Sequence, residues 1–351
     1  MTATALDDYR LLGRSGLRVS PLALGGAVFG EEGGYGANKV ESRRIFDAYV
    51  DRGGNFIDSS NLYNNGTAEA WLGEFMHDKR DRIVVSTKYS YTTDATDPNA
   101  GGNHRKSIMR AVEDSLKRLQ TDYIDVYMMH AWESRTPVEE IMRAHDDLVR
   151  AGKILYLGVS NAPAWIVTQA QCLAERYGWA ALINLQTEYN LVNRTAEFDL
   201  LPMARAMGLG VTTWSPTAAG LLTGKYGTSS TSGQAAGQSS VRAGYVAAVS
   251  TERNLKIVDE VVTVADEIGC RPGQVALRWL LDQPDVAGPI VGCRSEAQLV
   301  ENLACLEVSL TSDQHARLTA ISQPNQFAPY DAIEGPVIPE QITGGLRIAR
   351  R

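Results

Sequence analysis

Short runs of β-branched and aliphatic residues alternate with stretches of helical periodicity along the whole chain, and this alternation limits the fold more than any other feature. The runs are PLALGGAV from Pro21, NFIDSS from Asn55, IVVSTK from Ile83, IDVYMMH from Ile124, ILYLGVSN from Ile154, LINLQ from Leu182, GVTTWSP from Gly210 and PIVG from Pro289, eight in all. Between them, RKSIMRAVEDSLKRLQ repeats Ile108, Val112, Leu116 and Leu119 on one helical face, and VESRRIFDAYVDR stops at Gly53-Gly54. Buried strands joined by crossover helices pair in parallel, and eight such units predict a closed (β/α)8 TIM barrel of the α/β class. A doubly wound open sheet is the alternative. One barrel domain over residues 1–351 accommodates the length, since barrels with insertions reach this size. Ahead of the first unit, YRLLGRSGLRVS turns at Arg14-Ser15-Gly16 and predicts a β-hairpin across the lower end of the barrel. After the seventh strand, TSSTSGQAAGQSS sits within a long loop over residues 217–250, polar and Gly/Ser-rich as a covering loop is. Residues 323–351 form a C-terminal tail.

Charge and cysteine content narrow the function. A net charge of -7 and a pI of about 5.4 argue against a nucleic-acid partner, whose phosphates need a basic surface. The four cysteines form no C-x-x-C pair, which fits a reducing, cytoplasmic setting. The opening MTATALDDYR has neither the basic nor the apolar region of an export signal, and no apolar run approaches the roughly 18 residues of a membrane span. The expectation is a soluble protein with a small-molecule substrate, and homo-oligomerisation is left open.

In a parallel barrel the active site forms where the strands end. Here the apolar runs stop at Asp58, Lys88, His130, Ser160-Asn161, Gln186 and Trp214-Ser215. Each has a structural alternative: a strand-terminal Asp is often a turn former, a Lys a solvated charge, a His a satisfied half-buried ring, and Tyr63 rim packing. Ionisable side chains of different types converging on one face favour chemistry, and the combination suits carbonyl reduction. An incoming hydride turns a carbonyl oxygen into an alkoxide that needs a proton. Tyr63 can donate it, although a phenol of pKa about 10 needs help near neutral pH. Lys88 is the cation expected to lower that pKa, Asp58 holds the lysine charged, and His130 hydrogen-bonds the substrate oxygen.

Other chemistries fit less well. The histidines at 77, 104, 130, 145 and 315 never take an H-x-x-x-H spacing, so no metal is expected. GGAVFG lacks the second glycine of a dinucleotide fingerprint, and GLLTGKY is one residue short of a P-loop. In PIVGCRSEAQLVENL, Ser295 and Gln298 make an S-x-x-Q capping box that starts a helix, with Arg294 at its positive end, where a cation is disfavoured unless an anion offsets it. An ordinary capped helix with a solvated arginine is the alternative.

The stretches FIDSSNLYNNGTAE, VSTKY, RKSIMRAVEDSLKRLQTDYIDVYMMH, LGVSN, LQTEYNLVNR, TWSP with LLTGKY, and PIVGCRSEAQLVEN together resemble the aldo-keto reductases over nearly the whole length. The nearest branch holds aryl-alcohol-dehydrogenase-like enzymes and potassium-channel β subunits. The resemblance implies a catalytic tetrad of Asp58, Tyr63, Lys88 and His130 and NADPH/NADP+ across the barrel top, in an enzyme reducing aldehydes or ketones to alcohols. It also implies that Ser160, Asn161 and Gln186 bind the carboxamide, that Trp214 stacks on the nicotinamide, and that Ser215, Pro216, Thr217 and Ala218 follow the pyrophosphate. Gly26, Asp58 and Gly292 would border the cofactor, Lys225, Arg242 and Arg294 would meet its phosphates, and Gln298, Glu301 and Asn302 would hold its adenosine end. Phe29, Tyr63, Tyr89, Tyr91 and Trp132 are the implied substrate pocket, with core packing as the alternative for the last three. Thr217 stands where relatives usually carry leucine. The alternative function is a channel-β-like regulatory subunit with slow turnover, against which the lack of a long segment ahead of the barrel weighs.

Overall fold

All eight apolar runs form strands in the computed structural model, which describes residues 3–225, 240–335 and 337–346. After a hairpin of β1 (Arg10–Leu11) and β2 (Arg18–Val19) come β3 (Ala23–Gly25), β4 (Phe56–Asp58), β5 (Val84–Tyr89), β6 (Ile124–Met129), β7 (Ile154–Ser160), β8 (Leu182–Glu188), β9 (Gly210–Trp214) and β10 (Val286–Val291). Strands β3 to β10 pair in parallel in chain order, and β10 returns to β3 through Ile290 opposite Ala23 and Val291 opposite Leu24. That last pairing closes the barrel and excludes the open sheet. Strand β10 starts earlier than PIVG suggested, at Val286, with a register shift between Val286 and Gly288 that its Gly and Pro had hidden from the hydrophobic pattern.

Helices wrap the barrel: α1 (Lys39–Asp51), α2 (Thr67–Phe75), α3 (Arg105–Leu119), α4 (Val138–Arg150), α5 (Ala164–Tyr177) and α6 (Leu200–Met207) follow β3 to β8 in turn. After β9 come α7 (Ser240–Val249), α8 (Glu252–Ile268) and α9 (Pro272–Leu281), and after β10 come α10 (Glu296–Leu303), α11 (Ser312–Ile321), α12 (Tyr330–Glu334) and α13 (Val337–Thr343). The middle of the expected covering loop, residues 226–239, lies outside the described residues, as do the side chain of Arg242 and, in the tail, residues 336 and 347–351.

Two cores follow from the period of two along each strand. Outward residues such as Ile57, Val85 and Tyr127 meet the helices in one large cluster. Inward residues, among them Phe56, Val84, Val126, Met128 and Ile183, fill the lower barrel together with Leu12 of the hairpin loop. Leu12 is fully buried, and Arg14 donates its amide to the Gly208 carbonyl at 2.8 Å, so the hairpin plugs the lower end. Each such side chain contributes about 1.5–3 kcal/mol by leaving water. Among the described residues, no helix is long and apolar enough to cross a membrane, and no group of His, Cys, Asp and Glu could hold a metal.

Candidate active site

The inward column of the barrel changes character along its height. Apolar Phe56, Val84 and Val126 lie below, and two, four or four residues further on the same alternation brings Asp58, Lys88 and His130 to the upper mouth. A fully buried ammonium is costly unless paired. Lys88 Nζ meets that need by donating to Asp58 Oδ2 at 2.6 Å, the Ser59 carbonyl at 2.7 Å and the Tyr63 hydroxyl at 3.2 Å. Asp58 Oδ1 accepts from Gln186 Nε2 at 2.8 Å and from Ser86 Oγ at 3.3 Å. Tyr63 reaches the lysine because the chain coils after β4: Asn64 and Asn65 take positive φ of 47° and 54°, and Asn64 Nδ2 is tied to the Phe29 carbonyl at 2.9 Å.

Electrostatics then differ from the expectation in one respect. Loss of water raises the Tyr63 pKa; Lys88 pulls it down, Asp58 pushes it up, and the net direction is upward rather than downward. The lysine does lower the pKa, as expected of a neighbouring cation, but desolvation in the barrel mouth outweighs it. Burial also works against the Lys88 charge, yet Asp58 and Tyr63 outweigh it and the ammonium titrates above the ordinary lysine value. Burial, seconded by the Lys88 charge, lowers the His130 pKa to about 3. At neutral pH the mouth therefore holds a protonated phenol, an ammonium and a neutral imidazole. This is a set able to polarise and protonate an oxygen.

Placement of the other candidates varies. Ser160 Oγ and Trp214 Nε1 are buried without a partner among the described residues, unsatisfied groups of the kind a bound polar molecule would meet. Asn161 (φ 47°) donates to the His130 carbonyl at 2.9 Å, which ties the β7 exit to the tetrad. Ser215 and Ala218 both have φ of 51°, a left-handed conformation uncommon for non-glycine residues, and Pro216 and Thr217 lie between them. A side chain at Gly26 would come within 3.0 Å of the Asp58 carbonyl, whereas one at Gly292 would meet nothing closer than Val28 at 3.6 Å. Gln186, read as a carboxamide ligand, has its Nε2 engaged by Asp58. Lys225 is exposed at the edge of the described segment.

Arg294, Gln298 and Glu301 form an exposed stripe that runs from just before α10 along most of its length, beside Asn302, whose Nδ2 donates to Cys293 Sγ at 3.3 Å. Ser295 Oγ caps the helix by accepting from the Gln298 amide, but the reciprocal bond is shifted: Gln298 Oε1 accepts from Arg294 N at 2.9 Å, not from Ser295 N. Two partners of this terminus escaped the sequence. Glu41 of α1 accepts from Glu296 N at 2.8 Å, and the Arg294 guanidinium lies 4.3 Å over the Tyr35 ring.

Two expected pocket residues point elsewhere. Tyr89 is the neighbour of inward-facing Lys88 and so faces outward, fully buried with its ring 5.2 Å from Tyr127 and 5.4 Å from His145. Phe29 is likewise fully buried, packed 6.1 Å from Phe75 of α2. Core packing accounts for both. Tyr91 stays at the mouth, its ring 4.7 Å from His130, and Trp132 donates its amide to the Asn161 carbonyl at 3.2 Å and sets an edge on Trp165 at 5.6 Å. A cavity next to Trp214 and Asn161 is walled by Phe327 and Tyr330 of the tail, which pack on Phe198. Nothing in the tail's sequence marked it as a wall. Ser86 could have been found by counting two residues back from Lys88.

Comparison with known proteins follows the same lines. The sequence profile described as the Aldo/keto reductase family matches residues 21–323. A Saccharomyces cerevisiae protein provisionally named an aryl-alcohol dehydrogenase is 34% identical over 331 residues, 91% of this chain and 87% of that protein. An Oryza sativa protein provisionally named a voltage-gated potassium channel subunit beta is 36% identical over 333 residues, 90% of this chain and 97% of its own. Norsolorinic acid reductase of Aspergillus flavus is 33% identical over 322 residues, 89% of this chain and 80% of that enzyme.

Proposed function

The chain belongs to the aldo/keto reductase family, and from that premise we propose that it reduces aldehydes or ketones to alcohols with NADPH, Tyr63 serving as general acid. The observation that carries this reading is the Lys88 ammonium bridging the Asp58 carboxylate at 2.6 Å and the Tyr63 hydroxyl at 3.2 Å, with the neutral His130 imidazole 6.0 Å from the Tyr63 ring. A nicotinamide bound across the mouth would supply the hydride to the carbonyl carbon. Tyr63 gives its proton to the oxygen as negative charge gathers there, and the upward shift of its pKa keeps it protonated until then. Lys88 stabilises the phenolate left behind, while Asp58 holds the lysine in place and charged. His130 donates to the carbonyl oxygen, and Tyr91 and Trp132 give the mouth an aromatic wall suited to aryl or apolar carbonyls. Ser160, Asn161 and the side-chain oxygen of Gln186 would hold the carboxamide, and Trp214 would stack on the nicotinamide. The residues from Ser215 to Ala218 would follow the pyrophosphate, with Lys225 and Arg242 toward the phosphates. The free cysteines suit a reducing compartment, and we place the enzyme in the cytosol.

The name of the Oryza sativa relative supports a second reading, a regulatory subunit that turns over slowly. Steady-state NADPH oxidation over a panel of aryl and aliphatic aldehydes and ketones separates the two. Turnover on the order of 1 s⁻¹ or faster is expected of the reductase. Bound cofactor with no measurable turnover of any carbonyl would support the regulatory subunit.

Preference for NADPH over NADH is expected to depend on Arg294. Glu41 already occupies the Glu296 amide, so a 2′-phosphate would rely on the guanidinium that now lies over Tyr35. A charge-assisted contact is worth about 1.5–3 kcal/mol, or about one to two powers of ten in affinity. Arg294→Ala should therefore weaken NADPH binding by that much and NADH binding slightly, as read by quenching of intrinsic fluorescence. Equal losses for the two cofactors would make Arg294 a structural residue.

A further inference from the structure

We propose that Ser60 is a positioning residue that sets the tautomer of His130: its hydroxyl donates to Nδ1, so the single ring proton resides on Nε2 and faces the mouth. Ser60 is fully buried, and its Oγ lies 3.1 Å from His130 Nδ1. The hydroxyl has one proton to give. It already accepts from the Leu62 amide at 3.3 Å, and the other acceptor within range, Asn61 Oδ1, is 3.4 Å away. Good hydroxyl-to-oxygen bonds are about 2.5–3.0 Å long, so the Asn61 contact is the poorer destination and the proton goes to the ring nitrogen. Because burial and the Lys88 charge keep the imidazole neutral, one ring nitrogen carries a proton and the other does not. In the opposite arrangement Nδ1–H would donate to Ser60, and a bare Nε2 lone pair would confront a carbonyl oxygen. That arrangement repels the group it is meant to hold.

Ser60 also acts on the other side of the site. Its carbonyl accepts from the Tyr63 amide at 3.2 Å, so one residue ties the coil that carries the phenol to the ring opposite it. The rings of Tyr91 and Tyr63, at 4.7 and 6.0 Å from His130, restrict its rotation. The sequence offers only a serine two positions past Asp58, and contact with a histidine 70 residues away is a product of the fold.

The catalytic consequence rests on the reductase reading, whereas the tautomer itself does not. In protein labelled with ¹⁵N-histidine, the nitrogen shifts of a neutral imidazole distinguish N–H from bare nitrogen, and the His130 signals are those lost in His130→Gln. The expected wild-type result is a protonated Nε2 and a bare Nδ1. Ser60→Ala should shift population toward Nδ1–H and lower kcat by about 3- to 10-fold, the value of one hydrogen bond, while Ser60→Thr retains both properties. Protonated Nδ1 in the wild type overturns the proposal even if Ser60→Ala does not fold, and so does an unchanged tautomer in a folded Ser60→Ala. A wild type with protonated Nε2 and no carbonyl reductase activity would uphold the tautomer and refute the reductase reading.

Discussion

Exchanging Tyr63 for phenylalanine is expected to lower turnover in carbonyl reduction by about 10²–10⁴-fold, the usual contribution of a positioned proton donor. That range corresponds to about 2.7–5.4 kcal/mol of transition-state stabilisation. The substitution is a clean test because it removes one atom. Lys88 Nζ keeps Asp58 and the Ser59 carbonyl, and its cation–π contact with the ring, 4.9 Å to the centroid, survives in phenylalanine. The fold and the affinity for NADPH should be close to wild type, so the loss should fall on kcat. Near-wild-type turnover in this variant would remove Tyr63 from the mechanism and leave His130 as the nearest alternative donor.

Lys88→Met is expected to cost comparable activity and to change the pH dependence in a definite direction. Lys88 is the group that pulls the Tyr63 pKa down, against burial and the Asp58 carboxylate that push it up. Without it the phenol becomes a weaker acid. Alcohol oxidation needs the tyrosinate, so its activity rises with pH through the Tyr63 pKa, and that limb should move to higher pH in the variant. The fold should suffer as well, because the substitution strands the buried Asp58. Breaking a buried ion pair costs about 3–5 kcal/mol, softened here by the hydrogen bonds from Gln186 and Ser86. Thermal unfolding and the pH profile of oxidation check the two parts. A profile superimposable on that of the wild type would deny Lys88 its influence on the phenol.

Part of this site was legible along the chain because strand geometry is regular. A strand that stops being apolar exposes its last inward residue at the barrel mouth, so Asp58, Lys88 and His130 could be placed on one face before any fold was known. The same rule, carried through, would have turned Tyr89 toward the helices, since neighbours on a strand face opposite sides. Phe29 and the direction of the Tyr63 pKa were harder, because both depend on how much water the surrounding elements exclude.

Closure of the sheet was settled by the pairing of β10 with β3, but the sequence by itself determined the strand and helix order, the lower hairpin and the face on which the polar residues gather. Those are consequences of local periodicity and of the hydrophobic pattern, which each segment carries within itself. Only the tertiary structure decided that Gln186 and Ser86 hold Asp58, that Glu41 caps a helix 255 positions away, that Phe327 and Tyr330 wall the mouth, and that Ser60 meets His130. Those contacts join segments far apart in the chain and are selected by closure of the barrel, which fixes at once which side chains share the mouth and how little water is left between them.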